Sequence, residues 1–247
     1  MRSRLDLEIA RRGLADSRES AQRLIMAGRV RVNSRPAAKP DLKVDETAAI
    51  DVIGVASEYV SRGGYKLASA LDRFAITVPG RLALDVGAST GGFTDVLLQR
   101  GVARVIALDV GYGQLADRLR HDPRVTVIDR TNVRHVAPAR LPYRPDLAVI
   151  DVSFISLKLV LPAVLALVAA PADIVALVKP QFEVGKGKVG KGGIVRDDNL
   201  RAQALAEVVA FAISIGLESA GTLDSPIAGA AGNREFLAHF RWAGATR

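Results

Sequence analysis

The sequence predicts a mostly parallel, doubly wound α/β domain of the Rossmann-like kind, preceded by a small α+β module. Three observations carry this. From Leu82 onward, short apolar runs (LALDVG, VARVIALDVG, VTVIDR, DLAVIDVS, DIVALVKP) alternate with helical patterns, as in a chain of β-α units. The first run feeds a glycine turn and an amphipathic segment, LALDVGASTGGFTDVLLQRG from Leu82 to Gly101, which reads as strand, turn and helix. Residues 1–40 carry ten Lys and Arg against four Asp and Glu, a net +6, while the rest carries 24 against 22. A basic leading segment therefore stands apart from a nearly neutral body and points to a polyanion.

The composition sets bounds. At 247 residues and 49% hydrophobic, the chain is long enough for two domains with their own cores. With no cysteine there are no disulfides, thiolate metal sites or cysteine nucleophiles, and the expectation is a cytoplasmic protein. His121, His135 and His239 show no metal-ligand spacing, so no metal is expected. The opening MRSRLDLEIARRG is charged throughout, unlike a secretory signal. Leu159 to Val178 is about as long as a membrane span, but Pro162, Pro171 and Asp173 interrupt it. The prediction there is a short helix from Leu161 to Ala169 and a buried strand from Asp173 to Val178.

Taken in order, RLDLEIARRG predicts a helix ended by Gly13, and Ser17 caps a second helix, SRESAQRLIMAG, ended by Gly28. RVRVNSRPAAKP then alternates and turns at Asn33-Ser34, and AAIDVIGV supplies a last strand. Arg18, Arg23, Arg29, Arg31, Arg35 and Lys39 fall on the second helix and the hairpin, a set suited to phosphate contacts. The module is expected over 1–58, a linker over 59–64 and the α/β domain over 65–247. That domain opens on the helical SRGGYKLASALDRF and ends in a hairpin-like region, GTLDSPI and EFLAHFRW. The leading segment resembles the RNA-binding module of ribosomal small-subunit protein four (S4), through Arg4, Leu5, Asp6, Ser17, Arg18, Ala21, Gly28, Val30, Val32, Asn33, Lys39 and Pro40. The resemblance implies RNA binding by Arg4 together with the cations above.

The glycine turn discriminates between cofactors. A dinucleotide site wants G-x-G-x-x-G around a pyrophosphate. Here the pattern is D-x-G-x-x-x-G-G (Asp85, Gly87, Gly91, Gly92), with Ser89 at the middle glycine position. Asp85 would repel a pyrophosphate, whereas the ammonium and sulfonium of S-adenosyl-L-methionine would welcome it. The expected cofactor site is Asp85, Gly87, Ala88, Ser89, Gly91, Gly92 and Phe93, with Asp109 and Val110 at the next strand end, and Asp129 and Asp151 beyond. Asp109 can take ribose hydroxyls, and Asp129 is placed for an adenine amino group.

The methyl acceptor follows partly by elimination. Without cysteine, methylation of a pyrimidine carbon through a thioether is excluded. The strand end Asp151-Val-Ser-Phe154 lacks the two prolines usual in amine methylation, so a hydroxyl leads. Lys179, at the end of DIVALVK, and Asp151, at the neighbouring strand end, should converge where ligands of open α/β sheets lie. Phe154 could stack on a flipped base, and Lys186 and Lys188 in GKGKVGKGG could clamp phosphates.

ASTGGFTDVLLQRG, DVGYGQL, DVSFISL, LVKPQFEVGKG and GNREF closely resemble the TlyA (hemolysin A) family, which joins the S4-like module to an FtsJ-type methyltransferase domain. The resemblance implies S-adenosylmethionine-dependent 2′-O-methylation of cytidine in ribosomal RNA. It also implies a Lys-Asp-Lys-Glu tetrad at Lys66, Asp151, Lys179 and Glu235. The chain begins close to RLD and ends soon after FRWAG, like the shorter members acting on the large subunit. Asp16 stands where longer members would carry a basic residue. Two other readings compete: an RNA-binding ribosome-assembly factor and a membrane-active hemolysin.

Overall fold

In the α/β unit, apolar runs become the buried strands of one sheet. The computed structural model describes every residue except 1, 13, 16, 46, 54–57, 186, 191, 230, 231 and 245–247, together with the side chain of Arg2. Two units divide the chain, residues 1–62 and 63–247.

The second unit opens with helix α3 (Gly63–Arg73). Its sheet contains β6 (Leu82–Val86), β7 (Arg104–Leu108), β8 (Val125–Ile128), β9 (Leu147–Ile150), β10 (Ala172–Val178), β11 (Glu218–Asp224) and β12 (Phe236–Trp242), in the spatial order β11-β12-β10-β9-β6-β7-β8. Strands β6 to β10 are parallel, while β12 runs antiparallel to both β10 and β11. After β8 the chain crosses to the other side of β6 to make β9. Ligands of open sheets bind at such a reversal, outside the carboxyl ends of the strands.

All four residues of β9 are fully buried, as expected for an inner parallel strand read as a continuous apolar run. One face of the sheet packs on α6 (Leu157–Leu167) and α8 (Asp198–Ser214) through Leu157, Leu161, Val164, Val208 and Phe240. Helices α4 (Gly92–Gln99), α5 (Asp117–Arg120) and α7 (Pro180–Glu183) follow the strand ends nearest the site.

Helix α6 starts four residues earlier than its sequence suggests. Ser156 caps it, its hydroxyl accepting from the Lys158 N–H at 3.2 Å. The buried stripe Leu157, Val160, Leu161, Val164 and Leu167 has helical spacing, and its burial outweighs the cost of the exposed Pro162. No helix of the described residues is long and apolar enough to cross a membrane.

In the first unit, α1 (Leu5–Arg11) and α2 (Arg18–Met26) pack on a small core of Leu5, Ile9, Ala21, Ile25, Val30 and Ile50. Ser17 caps α2 by accepting from the Ser20 N–H at 3.1 Å. Strands β2 (Val30–Val32), β3 (Arg35–Pro36) and β5 (Ile50–Val52) form one sheet. Its hairpin turns through Asn33 and Ser34, both at positive φ, as a two-residue connection requires. A second pair, β1 (Arg2–Arg4) with β4 (Lys43–Asp45), is too short to be read from alternation. The expected helix end Gly13 and the position Asp16 lie outside the described residues.

Candidate active site

The turn after β6 is built around two close backbone approaches. Gly87 has φ +85°, and a methyl group there would collide with the carbonyl oxygen of Asp151. Gly91 has φ +98°, and a methyl group there would overlap the side chain of Leu119. Only glycine meets both demands without strain. The Ser89 N–H donates to Asp109 Oδ2 at 2.8 Å and the Gly111 N–H to Asp109 Oδ1 at 2.7 Å. Two backbone donors thus fix Asp109 at the mouth of the turn, and each oxygen keeps acceptor capacity.

Asp85 lies beneath the turn, fully buried. Its Oδ2 accepts from the Thr94 hydroxyl at 2.6 Å, while Oδ1 has no hydrogen-bond partner among the described residues. Burial pushes its carboxyl up to about 7, against the pull of Thr94 and with help from the charge of Asp151. Ala88, Gly92 and Phe93, in the turn and the start of α4, are also buried.

In front of the turn is a cavity of about 990 Å³. It is lined by Gly87, Ser89, Asp109, Val110, Asp151 and Phe154 from the expected set, and also by Gln114, Thr131, Asn132, Val133, Gln181 and Phe182. Gln114 lies within DVGYGQL, and Thr131-Asn132 directly follow Asp129-Arg130, so their positions after strand ends were the available signal. Asp129 does not line this cavity. Its Oδ2 accepts from the Gly113 N–H at 3.0 Å and lies 3.6 Å from Arg120, so it ties the loop after β7 to the end of β8.

Two lysine–carboxylate pairs stand at the carboxyl ends of the strands. Lys179 follows β10, and its Nζ is 2.6 Å from Asp151 Oδ1 and donates to Ser153 Oγ at 2.9 Å. Lys66, on α3, donates to Glu235 Oε2 at 2.5 Å, with both side chains at most 10% exposed. Val178 pairs with Phe236 at the last paired position of β10 and β12, and Lys179 and Glu235 are the next residues beyond it on the two segments. Glu235 is seated over Gly229, where a methyl group would collide with the carboxylate. Each buried charge is met by its opposite, the condition for keeping ions out of water. The Lys179 ammonium donates one hydrogen bond, to Ser153, and is ion-paired with Asp151, so donor capacity remains for a substrate oxygen.

Phe154 is 91% exposed and at φ +64°, a left-handed conformation that costs a side-chain-bearing residue about 1 kcal/mol. Its ring lies 5.1 Å from that of Phe182. Lys188 is exposed two residues before the Gly190–Ile194 bridge, while Lys186 lies outside the described residues.

The basic residues of the first unit divide into two groups. Arg4 (3.0 Å) and Arg18 (2.9 Å) are drawn to the buried Asp6, whose carboxyl they hold, Arg4 foremost, well below the usual carboxylate range. Arg23, Arg29, Arg31 and Lys39 are exposed and unpaired among the described residues. No group of acidic, histidine or cysteine side chains among the described residues could hold a metal ion.

Comparison with known proteins agrees with this architecture. Residues 59–242 match the FtsJ-like methyltransferase family and residues 3–50 the S4 domain. The chain is 53% identical over 241 residues to the 16S/23S rRNA (cytidine-2′-O)-methyltransferase TlyA of Mycobacterium tuberculosis, covering 97% of this chain and 90% of that one. It is 35% identical over 183 residues to the 23S rRNA (cytidine-2′-O)-methyltransferase TlyA of Campylobacter jejuni, covering 74% of this chain and 70% of that one. A solved structure from Streptococcus thermophilus, described as a hemolysin, superposes with a TM-score of 0.85 at 43% identity, covering 99% of this chain and 90% of that one. The chain belongs to the TlyA family of FtsJ-like methyltransferases, with an S4 domain preceding the methyltransferase domain.

Proposed function

We propose that this protein methylates the ribose 2′-hydroxyl of a cytidine in ribosomal RNA, using S-adenosyl-L-methionine, and that it works at the ribosome in the cytoplasm. The observation that carries the proposal is the Lys179–Asp151 pair, whose aspartate lines the cavity in front of the glycine turn. Large-subunit RNA is the proposed substrate, since it is common to the names of both curated relatives above.

The residues fit the cofactor. Gly87 leaves bare backbone against Asp151, Asp109 offers two oxygens for ribose hydroxyls, and the buried Asp85 has an unpartnered oxygen suited to an ammonium group. Thr131, Asn132 and Val133 also line the cavity and would border the adenine. S-adenosyl-L-methionine supplies an electrophilic methyl group there.

The chain's own residues do the rest. Lys179 Nζ, ion-paired with Asp151 and donating to Ser153, presents a further donor position to the 2′-oxygen. The hydroxyl proton passes to Nζ as Nζ gives its own to Asp151, so the oxygen becomes nucleophilic without a free base in solvent. Asp151 orients Lys179, and Glu235 holds Lys66. Phe154 offers an exposed ring for the flipped base, while Arg23, Arg29, Arg31, Lys39 and Lys188 take phosphates. The test is methyl transfer from labelled S-adenosyl-L-methionine to separated small and large ribosomal subunits. Label in large-subunit RNA supports the proposal, and no label there with cofactor binding intact overturns it.

A further inference from the structure

The segment Lys179-Pro-Gln-Phe-Glu183 grips the loop Asp151-Val-Ser-Phe-Ile-Ser156 at three places. Lys179 holds its start through Asp151 and Ser153. In its middle the Phe182 ring packs against that of Phe154 at 5.1 Å, tilted by 49°. At its end, Glu183 Oε2 accepts from the Ser156 hydroxyl at 2.6 Å and Oε1 from the Leu157 N–H at 2.8 Å. Phe154 between them combines a left-handed backbone with a ring 91% exposed. A strained, exposed aromatic persists only where its surroundings over-determine it. The first two grips belong to groups already assigned to chemistry or stacking. Glu183 belongs to neither, yet its carboxylate closes the loop and satisfies an N–H at the start of α6.

We propose that Glu183 is a positioning residue for RNA: it holds the loop so that Phe154 presents its ring to the target base. This rests on Phe154 being the base-stacking residue. A carboxylate is not required as such. A glutamine there can accept from the Leu157 N–H and donate to Ser156 Oγ, keeping both contacts.

The test uses the full chain with isolated large subunits and compares Glu183→Ala, Glu183→Gln, Phe154→Ala and the Glu183→Ala/Phe154→Ala double variant. Ser156→Ala substitutes for Glu183→Ala if that variant does not fold. Glu183→Ala is expected to lower kcat/KM for the subunit about tenfold or more. Its Kd for S-adenosyl-L-methionine should stay within about twofold of wild type, and Glu183→Gln should restore most of the loss. The double variant should be no worse than Phe154→Ala alone, because the two residues act as one unit. Amide hydrogen exchange over residues 152–157 should accelerate in Glu183→Ala. Unchanged exchange there, or losses that multiply in the double variant, would overturn the inference. Full activity of Phe154→Ala with accelerated exchange in Glu183→Ala would instead overturn the base-stacking reading and the role built on it, leaving the grip itself intact.

Discussion

Asp85→Asn is expected to stabilise the protein and impair it at once. Asp85 is fully buried, with one oxygen on Thr94 and the other unpartnered among the described residues, and its carboxyl titrates at about 7. In the unfolded chain it titrates at its ordinary value, near 4. The folded state therefore binds more protons between these values, and stability falls as pH rises through that window. Over pH 5 to 8.5 the loss from this group is about 3 kcal/mol, and at the upper end the total is about 4 kcal/mol. Asparagine removes the charge but leaves a buried N–H₂ short of acceptors, at about 1–3 kcal/mol. The variant should thus be more stable than wild type by about 1–3 kcal/mol at pH 8.5, and equal or less stable at pH 5. The single tryptophan, Trp242 on β12, reports unfolding of the methyltransferase unit in urea. The same substitution removes the counter-charge for the cofactor's ammonium group, so affinity for S-adenosyl-L-methionine should fall. A stability difference that does not change between pH 5 and pH 8.5 would refute the assignment of a charged, desolvated carboxyl to this position.

Further outcomes follow from other parts of the structure. Gly87→Ala should cost about 2–5 kcal/mol in urea unfolding, from its positive φ and from its contact with the Asp151 backbone. It should also abolish cofactor binding measured by calorimetry. Replacing Arg23, Arg29 and Arg31 singly by alanine should weaken binding to ribosomal RNA and reduce the salt slope of log Kd by about 1 each, with little change in stability. Asp6 and Glu8 are buried among arginines that hold their carboxyls low, Arg4 and Arg11 foremost. Their stabilisation is complete above the ordinary carboxylate range and is lost progressively as pH falls from there towards the depressed folded values, so exchange protection of α1, corrected for intrinsic rates, should begin to drop below pH 5 and continue falling past pH 3.

The legibility of this fold follows from length and local chemistry. Strands β9 and β10 are largely apolar runs buried along nearly their whole length, and Gly87, Gly91 and Asn33-Ser34 mark turns that need unusual backbone angles. Strands β1 and β4, with three residues each, leave too few positions for alternation to register. Pro162 suggested a break in what is a continuous helix, because proline on the exposed side costs less than the stripe beneath it gains. In the site, Asp109, Asp151 and Lys179 could be placed from their strand ends alone. The Lys66–Glu235 pair could not, since 169 residues separate its members and only the resemblance to a family joined them. Asp129 shows the converse: it sits at a strand end as expected, yet its side chain turns to a neighbouring loop. Arg4 and Arg18 are basic in a basic segment, but a buried aspartate, invisible to a charge count, engages both.

The most direct test of the account is nucleoside mass spectrometry of large-subunit RNA after incubation with S-adenosyl-L-methionine and either wild-type protein or Lys179→Ala. The account predicts 2′-O-methylcytidine with the wild type and none with the variant, at unchanged cofactor Kd. Equal methylation by both, or methyl groups found only on a base, would contradict the assignment of Lys179 and Asp151 to activation of a ribose hydroxyl.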